Sequence, residues 1–537
     1  MKSLSRRAFL KTIGQAGLIC AAPDFARAVQ SVNPDTVCIS ILHTTDLHGH
    51  ILPTIDYDRN PDLGGFARCA TQIRRWRRKN PNTILIDLGD VYQGTDVALR
   101  TKGALMIDLF NYLKYDAWIL GNHEFDWGIE TFSDALQRST MPVLAANTLI
   151  EGKTSAELSD MQNPFAKISA YILKEISGIK IAIIGMTTPG MPFWFRPEFT
   201  RGIEFQYPVE PVRRAIAKAK GDGADAIVLA GHMGLKARTG GDDFANSVMS
   251  ITSEFPEVAV FIAGHTHQTI SSRTVNNVLL TQADHFGIHL GRVDLIFDCN
   301  SKRLLHRQAQ CVLMDRHVPL DRRVLSRAKS QLDQSELALN QSIGELAETL
   351  HVRQHAGEPS DVERLIGAAI METLQERGAT VDGAFHGIFD ERDFKVGPKT
   401  VGDVWSVLPF ENYIVTAELT PDEIKTVMEE VYLSRESRSL VGFNIASEGR
   451  GSERRITSLT RDDGQLLERD KKYRIAFNMF DSRSGGHRFM KLRDFLETPA
   501  ANCTLHPVQT RDALIEYFQR HKVVHRIPRP GPVPIAA

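Results

Sequence analysis

The sequence has 537 residues, which at about 150 residues per domain is too long for a single small module and fits an N-terminal segment followed by two substantial domains. Hydrophobic residues make up 42% and charged residues 24% of the chain, as in ordinary globular proteins, and this excludes wholesale disorder. The 64 basic and 65 acidic side chains leave a formal charge of −1, so no global field draws the chain to nucleic acid or to an anionic membrane.

The N-terminus has the layout of a cleavable export signal. Arg6 and Arg7 open it, a mildly apolar stretch extends to Ile19, and Ala26 and Ala28 supply the small residues of a cleavage site. This segment resembles the twin-arginine signal, which implies export of the folded protein by the twin-arginine machinery, removal of residues 1–28 and a periplasmic location. No later segment approaches the roughly 20 apolar residues of a transmembrane helix, so we expect no stable membrane anchor.

The cysteine pattern favours free thiols. Five cysteines remain after cleavage at this site, an odd number, and they are scattered without any Cys-x-x-Cys spacing. We therefore expect neither a zinc ribbon nor a disulfide framework.

The rest of the chain divides into four segments. Residues 35–315 alternate short β-branched runs, such as 83–88 and 181–184, with helical stretches, which predicts an α/β domain with buried strands. Residues 316–341 are helix-forming and charged, and we predict an interdomain helix or linker. A second α/β domain follows at 342–525, and 526–537 form a Pro-rich tail.

A basic run at residues 74–79 raises the possibility of nucleic-acid binding. It falls on a helix predicted to begin near Phe66 and lacks interleaved aromatic residues, so a solvated helix face is favoured. We expect no nucleic acid polymer as a partner.

Five apolar runs of the first domain each end in residues that suit a metal ion. Because ligands of open α/β sheets gather at the carboxyl ends of strands, we expect the five loops to converge on one crevice. The metal-binding residue types at these run ends are Asp46 and His48, Asp90, Asn122 and His123, His232, and His265 and His267.

Imidazole and carboxylate together favour ions of the Zn, Mn, Fe or Co class. Even without His123, seven groups are too many for one tetrahedral ion with an open position, but they suit two divalent ions that share a carboxylate.

The same motifs carry a family resemblance. Asp46-x-His48, Gly89-Asp90, the run at 121–124, Gly231-His232 and the run at 264–267 resemble the calcineurin-like metallophosphoesterase superfamily. Within it, residues 42–49, 64–68 and 121–126 resemble the secreted bacterial 5′-nucleotidases and their UDP-sugar hydrolase and cyclic-nucleotide phosphodiesterase relatives. The resemblance implies a four-layer αββα sandwich followed by a second α/β domain that determines substrate specificity.

The resemblance also implies roles for the residues of the first domain. One ion would be bound by Asp46, His48 and His267, the other by Asn122, His232 and His265, with Asp90 between them. His123 would face the substrate, oriented by Asp126, while metal-activated hydroxide attacks phosphorus.

The second domain resembles that of the 5′-nucleotidases less closely. In those relatives two aromatic rings stack on the base near a Gly-Gly-Asp-Gly turn, and Phe480, Gly485 and Gly486 occupy similar positions here. Phe480 fits a core residue equally well. The acidic residue of the turn is replaced by His487, and the second ring is represented only by Phe443, displaced from the family position.

Arg392, Arg483 and Arg488 are candidates for a replacement phosphate or ribose contact, and equally for ordinary surface arginines.

The leading hypothesis is a dinuclear-metal phosphohydrolase acting on small phosphate esters, above all 5′-nucleotides, UDP-sugars or cyclic nucleotides. One alternative is hydrolysis of a sulfur ester, because the thiosulfohydrolases share this architecture and export route. The other is a binding or scaffold module with an inactive site.

Overall fold

The computed structural model describes most of the chain after its first 34 residues. The described ranges are 35–153, 164–236, 240–352, 358–388, 392–434, 436–449 and 453–529. The predicted export signal at 1–28 and residues 530–537 of the Pro-rich tail lie outside them. Within these ranges, every helix is too short or too polar to span a lipid bilayer.

The first domain is built on two sheets. The seven-stranded sheet has the spatial order Leu304–Leu313, His289–Asp298, Thr36–Thr44, Thr83–Asp87, Ala117–Ile119, Val143–Leu144 and Ile168–Ser169. The six-stranded sheet has the order Thr269–Val275, Val278–Ala283, Val260–Ala263, Ala226–Gly231, Ile179–Met186 and Tyr171–Ile176. A small antiparallel pair, Thr148–Ile150 with Ile203–Phe205, lies beside them.

The two sheets pack face to face through an aliphatic layer. Successive side chains of a strand point to opposite faces, so in Thr36–Thr44 the residues Val37, Ile39 and Ile41 enter the layer between the sheets. Leu42 points the other way, into a core formed with helices. All nine residues of this strand are buried, which explains its nearly continuous apolar sequence.

Helices cover the outer face of each sheet and complete four layers. Those on the larger sheet are Phe66–Lys79, Asp96–Thr101, Ala104–Leu113 and Gly128–Arg138. Val209–Gly221 and Val248–Glu254 cover the smaller sheet. Single 3-10 turns occur at His123–Phe125, Pro164–Lys167, Met191–Phe193 and Pro197–Thr200.

Helix Arg322–Leu339 lies in the segment predicted as an interdomain helix or linker. It packs on the first domain through Val324 and Ala328. Asp321 caps its N-terminus, where the carboxylate accepts hydrogen bonds from the backbone of Arg323 and Val324.

The second domain is a five-stranded sheet with helices on both faces. Its strands run in the order Arg438–Val441, Gly383–Gly387, Tyr473–Asn478, Tyr413–Leu419 and Thr504–Gln509. Its helices are Asp361–Glu376, Val401–Val407, Pro421–Ser434, Met479–Ser482, Met490–Leu496 and Thr510–His521, with a 3-10 turn at Pro499–Ala501. Smaller sheets join Gly397–Thr400, Ser342–Leu346 and Val523–Val524, and pair Phe443–Glu448 with Arg455–Arg461.

The predicted α/β fold with two domains is confirmed. The five cysteines of the described ranges are free thiols, and Cys38 and Cys69 are buried.

Candidate metal centre and active site

The loops after five strands meet in one crevice, and both sheets of the first domain contribute to it. Three of the strands belong to the seven-stranded sheet and two to the six-stranded sheet. The structure brings together all seven side chains predicted as metal ligands, namely Asp46, His48, Asp90, Asn122, His232, His265 and His267.

The donor atoms of Asp46, His48 and His267 lie within 4.8 Å of one another. His267 Nε2 is 3.3 Å from Asp46 Oδ1 and also 3.3 Å from His48 Nε2. Two nitrogen ligands placed tetrahedrally at about 2.0–2.1 Å from one ion would be separated by roughly this distance. The arrangement therefore fits a single divalent ion.

A second group contains Asp90, His232 and His265, again with donor atoms within 4.8 Å of one another. His232 Nε2 lies 3.1 Å from Asp90 Oδ2 and 3.1 Å from Asn122 Oδ1. Carboxylate, amide and imidazole converge here, a mixed oxygen and nitrogen donor set that fits the same class of ion.

Asp90 connects the two groups. Its Oδ2 atom lies 3.9 Å from His48 Nε2 on one side and 3.1 Å from His232 Nε2 on the other. One carboxylate thus faces both groups, the position of a shared ligand.

Backbone carbonyls orient two of the imidazoles, those of His48 and His232. His48 Nδ1 lies 2.8 Å from the carbonyl oxygen of Gln93, and His232 Nδ1 lies 2.6 Å from that of Leu88. A carbonyl only accepts, so each Nδ1 is the donor and each Nε2 faces the centre.

The backbone around the centre is strained. Asp46, His48, Asp90, His265 and His267 all adopt positive φ angles, between 47° and 70°. Such angles cost non-glycine residues of order 1–3 kcal/mol each and gather at functional sites. Five of the seven predicted ligands share this feature, which no sequence pattern had indicated.

The charges of the centre favour a cation. Burial opposes ionisation of Asp90, but the nearby His232 and His123 outweigh it and hold the pKa of this carboxyl well below its ordinary value. Burial also opposes protonation of His232, yet the Asp90 carboxylate raises the pKa of this imidazole to about 9. A divalent cation would replace that proton.

His123 lies close to the candidate ligands, and its donor atom is within 4.8 Å of those of His48 and Asp90. Its Nδ1 lies 2.6 Å from Asp126 Oδ2, and its backbone N–H donates to Asp90 Oδ1 at 2.9 Å. Burial lowers its pKa, but the Asp126 carboxylate prevails and raises it to about 10. The pair therefore offers a well-oriented proton donor next to the metal ligands.

Glu124 is a functional candidate to which the sequence assigned no role. Its buried carboxylate accepts hydrogen bonds from the backbone of Gly121 at 2.8 Å, Val91 at 2.8 Å and Asp90 at 3.2 Å. It joins the loop that carries Asp90 to the loop that carries Asn122. An acidic side chain within the motif was the available signal, but two of the three amides that it binds, those of Asp90 and Val91, belong to a loop more than 30 residues away.

A cleft of about 520 Å³ opens beside the centre and extends between the two domains. His123, Asp126 and Asn122 line the catalytic side, while Phe480 and Arg488 line the side formed by the second domain. The cleft is large enough for a small organic ester with a substantial leaving group.

Of the three residues predicted to bind substrate, only one lines the cleft. Phe480 lines the cleft, whereas Gly485 and Gly486 form the adjacent turn and are not among its lining residues. Both glycines have positive φ, 54° and 69°. A Cβ on Gly486 would lie 3.3 Å from Phe480 Cζ, so the turn lies against the ring.

The second aromatic candidate, Phe443, is a core residue. It is 3% exposed and contacts Tyr473 in the hydrophobic cluster of the second domain. Arg438 instead lines the cleft, and its Nε donates to Asp481 Oδ2 at 2.7 Å. This side of the cleft therefore combines two aromatic rings, Phe480 and Phe410, with charged side chains.

The three candidate arginines differ in location. Arg488 lines the cleft and pairs with Glu436 at 2.9 Å. Arg483 pairs with Glu497, and Arg392 lines a different cavity within the second domain.

Two family matches cover most of the described chain. Residues 39–269 match the family described as calcineurin-like phosphoesterase, and residues 342–494 match the 5′-nucleotidase C-terminal domain.

Among curated proteins, the trifunctional nucleotide phosphoesterase protein YfkN of Bacillus subtilis is 29% identical over 54% of this chain and 21% of its own length. The chain spans 21% to 55% of the length of the curated relatives it matches.

Solved structures share the fold over nearly the whole chain. A 5′-nucleotidase precursor from Thermus thermophilus has a TM-score of 0.68 at 22% identity, covering 91% of this chain and 98% of its own. The sulfate thiohydrolase SoxB of Thermus thermophilus has a TM-score of 0.62 at 17% identity, covering 92% and 96%. At these identities the likeness concerns the fold alone.

Proposed function

The chain belongs to the family in which a calcineurin-like phosphoesterase domain precedes a 5′-nucleotidase C-terminal domain, and from this premise we propose that it hydrolyses phosphate esters with two divalent metal ions. The observation that carries the proposal is the position of Asp90, whose carboxylate faces both groups of candidate ligands. When bound, the ions would supply positive charge for the phosphate oxygens and activate a water molecule as nucleophile.

The ligand assignment follows the two groups. We assign Asp46, His48 and His267 to one ion and Asn122, His232 and His265 to the other, with Asp90 shared. Their mixed oxygen and nitrogen donors suit Zn, Mn, Fe or Co.

His123 acts on the substrate. Asp126 engages its Nδ1 and keeps the imidazole protonated, which leaves Nε2 to donate to a phosphate or leaving-group oxygen as negative charge develops there. Its backbone N–H donates to Asp90, so the same residue is held in a fixed relation to the shared carboxylate.

The preferred substrates are 5′-nucleotides or related derivatives such as UDP-sugars and cyclic nucleotides. The cleft supports this assignment because Phe480 offers a flat apolar face, and stacking a base on such a face contributes about 1–3 kcal/mol. Arg488, on the same side of the cleft, is suited to an anionic or hydroxyl group of the substrate.

Phosphate release from a substrate panel tests the proposal. Metal-replete protein is incubated with nucleoside mono-, di- and cyclic phosphates, UDP-sugars and simple phosphomonoesters, with chelated protein as control. We expect metal-dependent release from at least one nucleotide class, and no turnover of any ester by metal-replete protein would refute the proposal.

The sulfur-ester alternative has weaker support. The relevant solved relative shares 17% of its residues with this chain and supports the fold alone. The run at 121–124, by contrast, keeps the nucleotidase pattern.

We further propose export to the periplasm by the twin-arginine route, because the segment from Arg6 to Ala28 has the layout of a twin-arginine signal. Arg6→Lys combined with Arg7→Lys should retain the protein in the cytoplasm with its signal uncleaved. Unchanged export of that variant, measured by fractionation and N-terminal mass, would contradict the proposed route.

A further inference from the structure

Glu411 joins the second domain to the catalytic centre. It lies between helix Val401–Val407 and strand Tyr413–Leu419 and is 6% exposed. Its Oε2 accepts a hydrogen bond from Trp127 Nε1 at 2.5 Å. The partners are 284 residues apart in sequence and belong to different domains.

Trp127 directly follows Asp126, the carboxylate that orients His123. The indole is buried and stacks on Tyr92, with ring centroids 5.0 Å apart and planes inclined by 19°. With one face against Tyr92 and its N–H bound to Glu411, the ring has little freedom. The backbone that carries Asp126 is fixed in turn.

A second connection runs from Glu411 to a candidate metal ligand. Gln93 Nε2 donates to the main-chain oxygen of Glu411 at 3.2 Å. The main-chain oxygen of the same glutamine accepts from His48 Nδ1 at 2.8 Å. Glu411 therefore contacts both the residue next to the His123–Asp126 pair and the residue that orients His48.

Arg511 holds the glutamate segment in place. Arg511 is 2% exposed. Its guanidinium donates to the main-chain oxygens of Leu408 and Pro409 at 2.9 Å each and stacks over Trp405 at 3.4 Å from the ring centroid. Its Nη1 lies 3.6 Å from Glu411 Oε1, so the buried glutamate has a cationic neighbour.

We propose that Glu411 is a positioning residue through which the second domain completes the catalytic centre. Docked by Arg511, it fixes Trp127 and Gln93, and these fix the His123–Asp126 pair and His48. The inference rests on the proposed function, because it assigns a role in that same reaction. Turnover would then depend on how the two domains are seated as well as on the ligands of the first domain.

Three variants test this. Trp127→Phe removes the indole donor but keeps a ring against Tyr92, Glu411→Ala removes the acceptor, and Glu411→Gln retains an oxygen that can accept from the indole. We expect Trp127→Phe and Glu411→Ala each to lower kcat about 10- to 100-fold, the scale of a small misplacement of catalytic groups. KM and metal content should change little, and Glu411→Gln should recover most of the loss.

The double variant separates positioning from direct substrate contact. If both residues act through one hydrogen bond, combining Trp127→Phe with Glu411→Ala should lower kcat no further than the worse single change. Additive losses, or a rise of KM alone in Glu411→Ala, would overturn the proposal. Trp76→Phe, on a helix of the first domain, is the matched control for loss of an indole.

A measurement without substrate completes the test. In ¹⁵N-labelled metal-free protein, Trp127→Phe identifies the Trp127 indole resonance, which Glu411→Ala should shift to the position of an unbound indole N–H. An unshifted resonance would overturn the contact. Wild-type protein without turnover of any ester would overturn both the proposed function and this inference, whereas undiminished kcat in Trp127→Phe would overturn only the inference.

Discussion

At the scale of single residues, His123 is the side chain whose chemistry depends most directly on its neighbours. Asp126 binds Nδ1 at 2.6 Å and raises the imidazole pKa, so the ring carries a proton where it lines the cleft. His123→Ala should lower kcat by roughly two to four decades, the combined scale of a general acid and a charge-stabilising donor. Steady-state kinetics and elemental analysis of the metal content check this.

The control for this change is His317→Ala, an exposed histidine outside the cleft, which should leave both turnover and metal content unchanged. Loss of metal from His123→Ala would show that this histidine binds an ion instead of substrate.

Glu124 provides a second prediction at this scale. Removing its carboxylate leaves three buried backbone N–H groups without their partner. We expect Glu124→Ala to weaken metal binding about 10- to 100-fold, as for other residues that support metal ligands. Metal titration of chelated protein measures the affinity. Because Glu124→Gln keeps one acceptor oxygen, its metal affinity should lie between those of the wild type and Glu124→Ala. Unchanged affinity in Glu124→Ala would contradict the role assigned to it.

Residue chemistry and order along the chain were enough to select the side chains that the structure brings together. The seven candidate ligands follow apolar runs that were predicted to be strands. Because the carboxyl ends of such strands lie at one edge of a sheet, these side chains were expected to lie close together. The left-handed backbone conformation of Asp46 and Asp90 could not be predicted from the sequence, because contacts with distant loops impose it. The sequence also could not predict the burial of Phe443, since an aromatic residue near a turn fits a cleft and a core equally well.

At the scale of secondary-structure elements, the helix Arg322–Leu339 is stabilised by the contacts of Asp321, the residue that precedes it. The Asp321 carboxylate accepts two backbone N–H groups of the helix and pairs with Arg74 Nε at 2.7 Å. Burial raises the pKa of this carboxyl, but the Arg74 hydrogen bond and the helix amides outweigh it and hold the pKa below its ordinary value. The ionised form is therefore stabilised by folding.

Asp321→Ala should lower the free energy of unfolding by about 0.5–2 kcal/mol at neutral pH, the usual cost of losing an N-cap. Because the folded-state pKa is depressed, the electrostatic part of this contribution is present above about pH 4 and is lost as the pH falls through the folded pKa. Denaturant unfolding of wild type and variant should thus show a difference that narrows in acid.

The matched control is Asp333→Ala on the same helix, where the exposed pair with Lys329 is expected to contribute about 0.3–0.5 kcal/mol. Equal destabilisation by both changes would contradict the capping role.

The sequence of this segment indicated a helix or a linker without deciding between them. Its charged, helix-forming composition lacks a strong apolar run, and the few residues that pack, such as Val324 and Ala328, do so on a surface formed by the first domain. Arg74 lies 247 residues away, so its contact with Asp321 cannot be inferred from local pattern.

At the scale of the whole molecule, metal binding should be coupled to stability. The candidate ligands come from five loops of two sheets, so bound ions connect parts of the chain that only folding brings together. With free metal at about 100 times the dissociation constant, one site adds roughly 2.7 kcal/mol to the stability of the folded state. Chelation should lower the Tm of the wild type, and added Zn or Mn should restore it. An unchanged Tm after complete removal of metal would contradict this coupling.

The order of the two domains could be predicted from motifs, but their contact could not. Glu411 and Trp127 belong to segments that show no joint pattern, and their hydrogen bond depends on how one domain is seated on the other. Contacts of this kind depend on the shapes of two folded domains, so no local pattern in the sequence predicts them.

A crystal structure of metal-replete protein with anomalous data would show whether two ions share the Asp90 carboxylate. We expect two anomalous peaks roughly 3.5–4 Å apart, with Asp90 contacting both. One peak should lie beside Asp46, His48 and His267, and the other beside Asn122, His232 and His265. A single ion, or ions bound away from Asp90, would contradict this expectation.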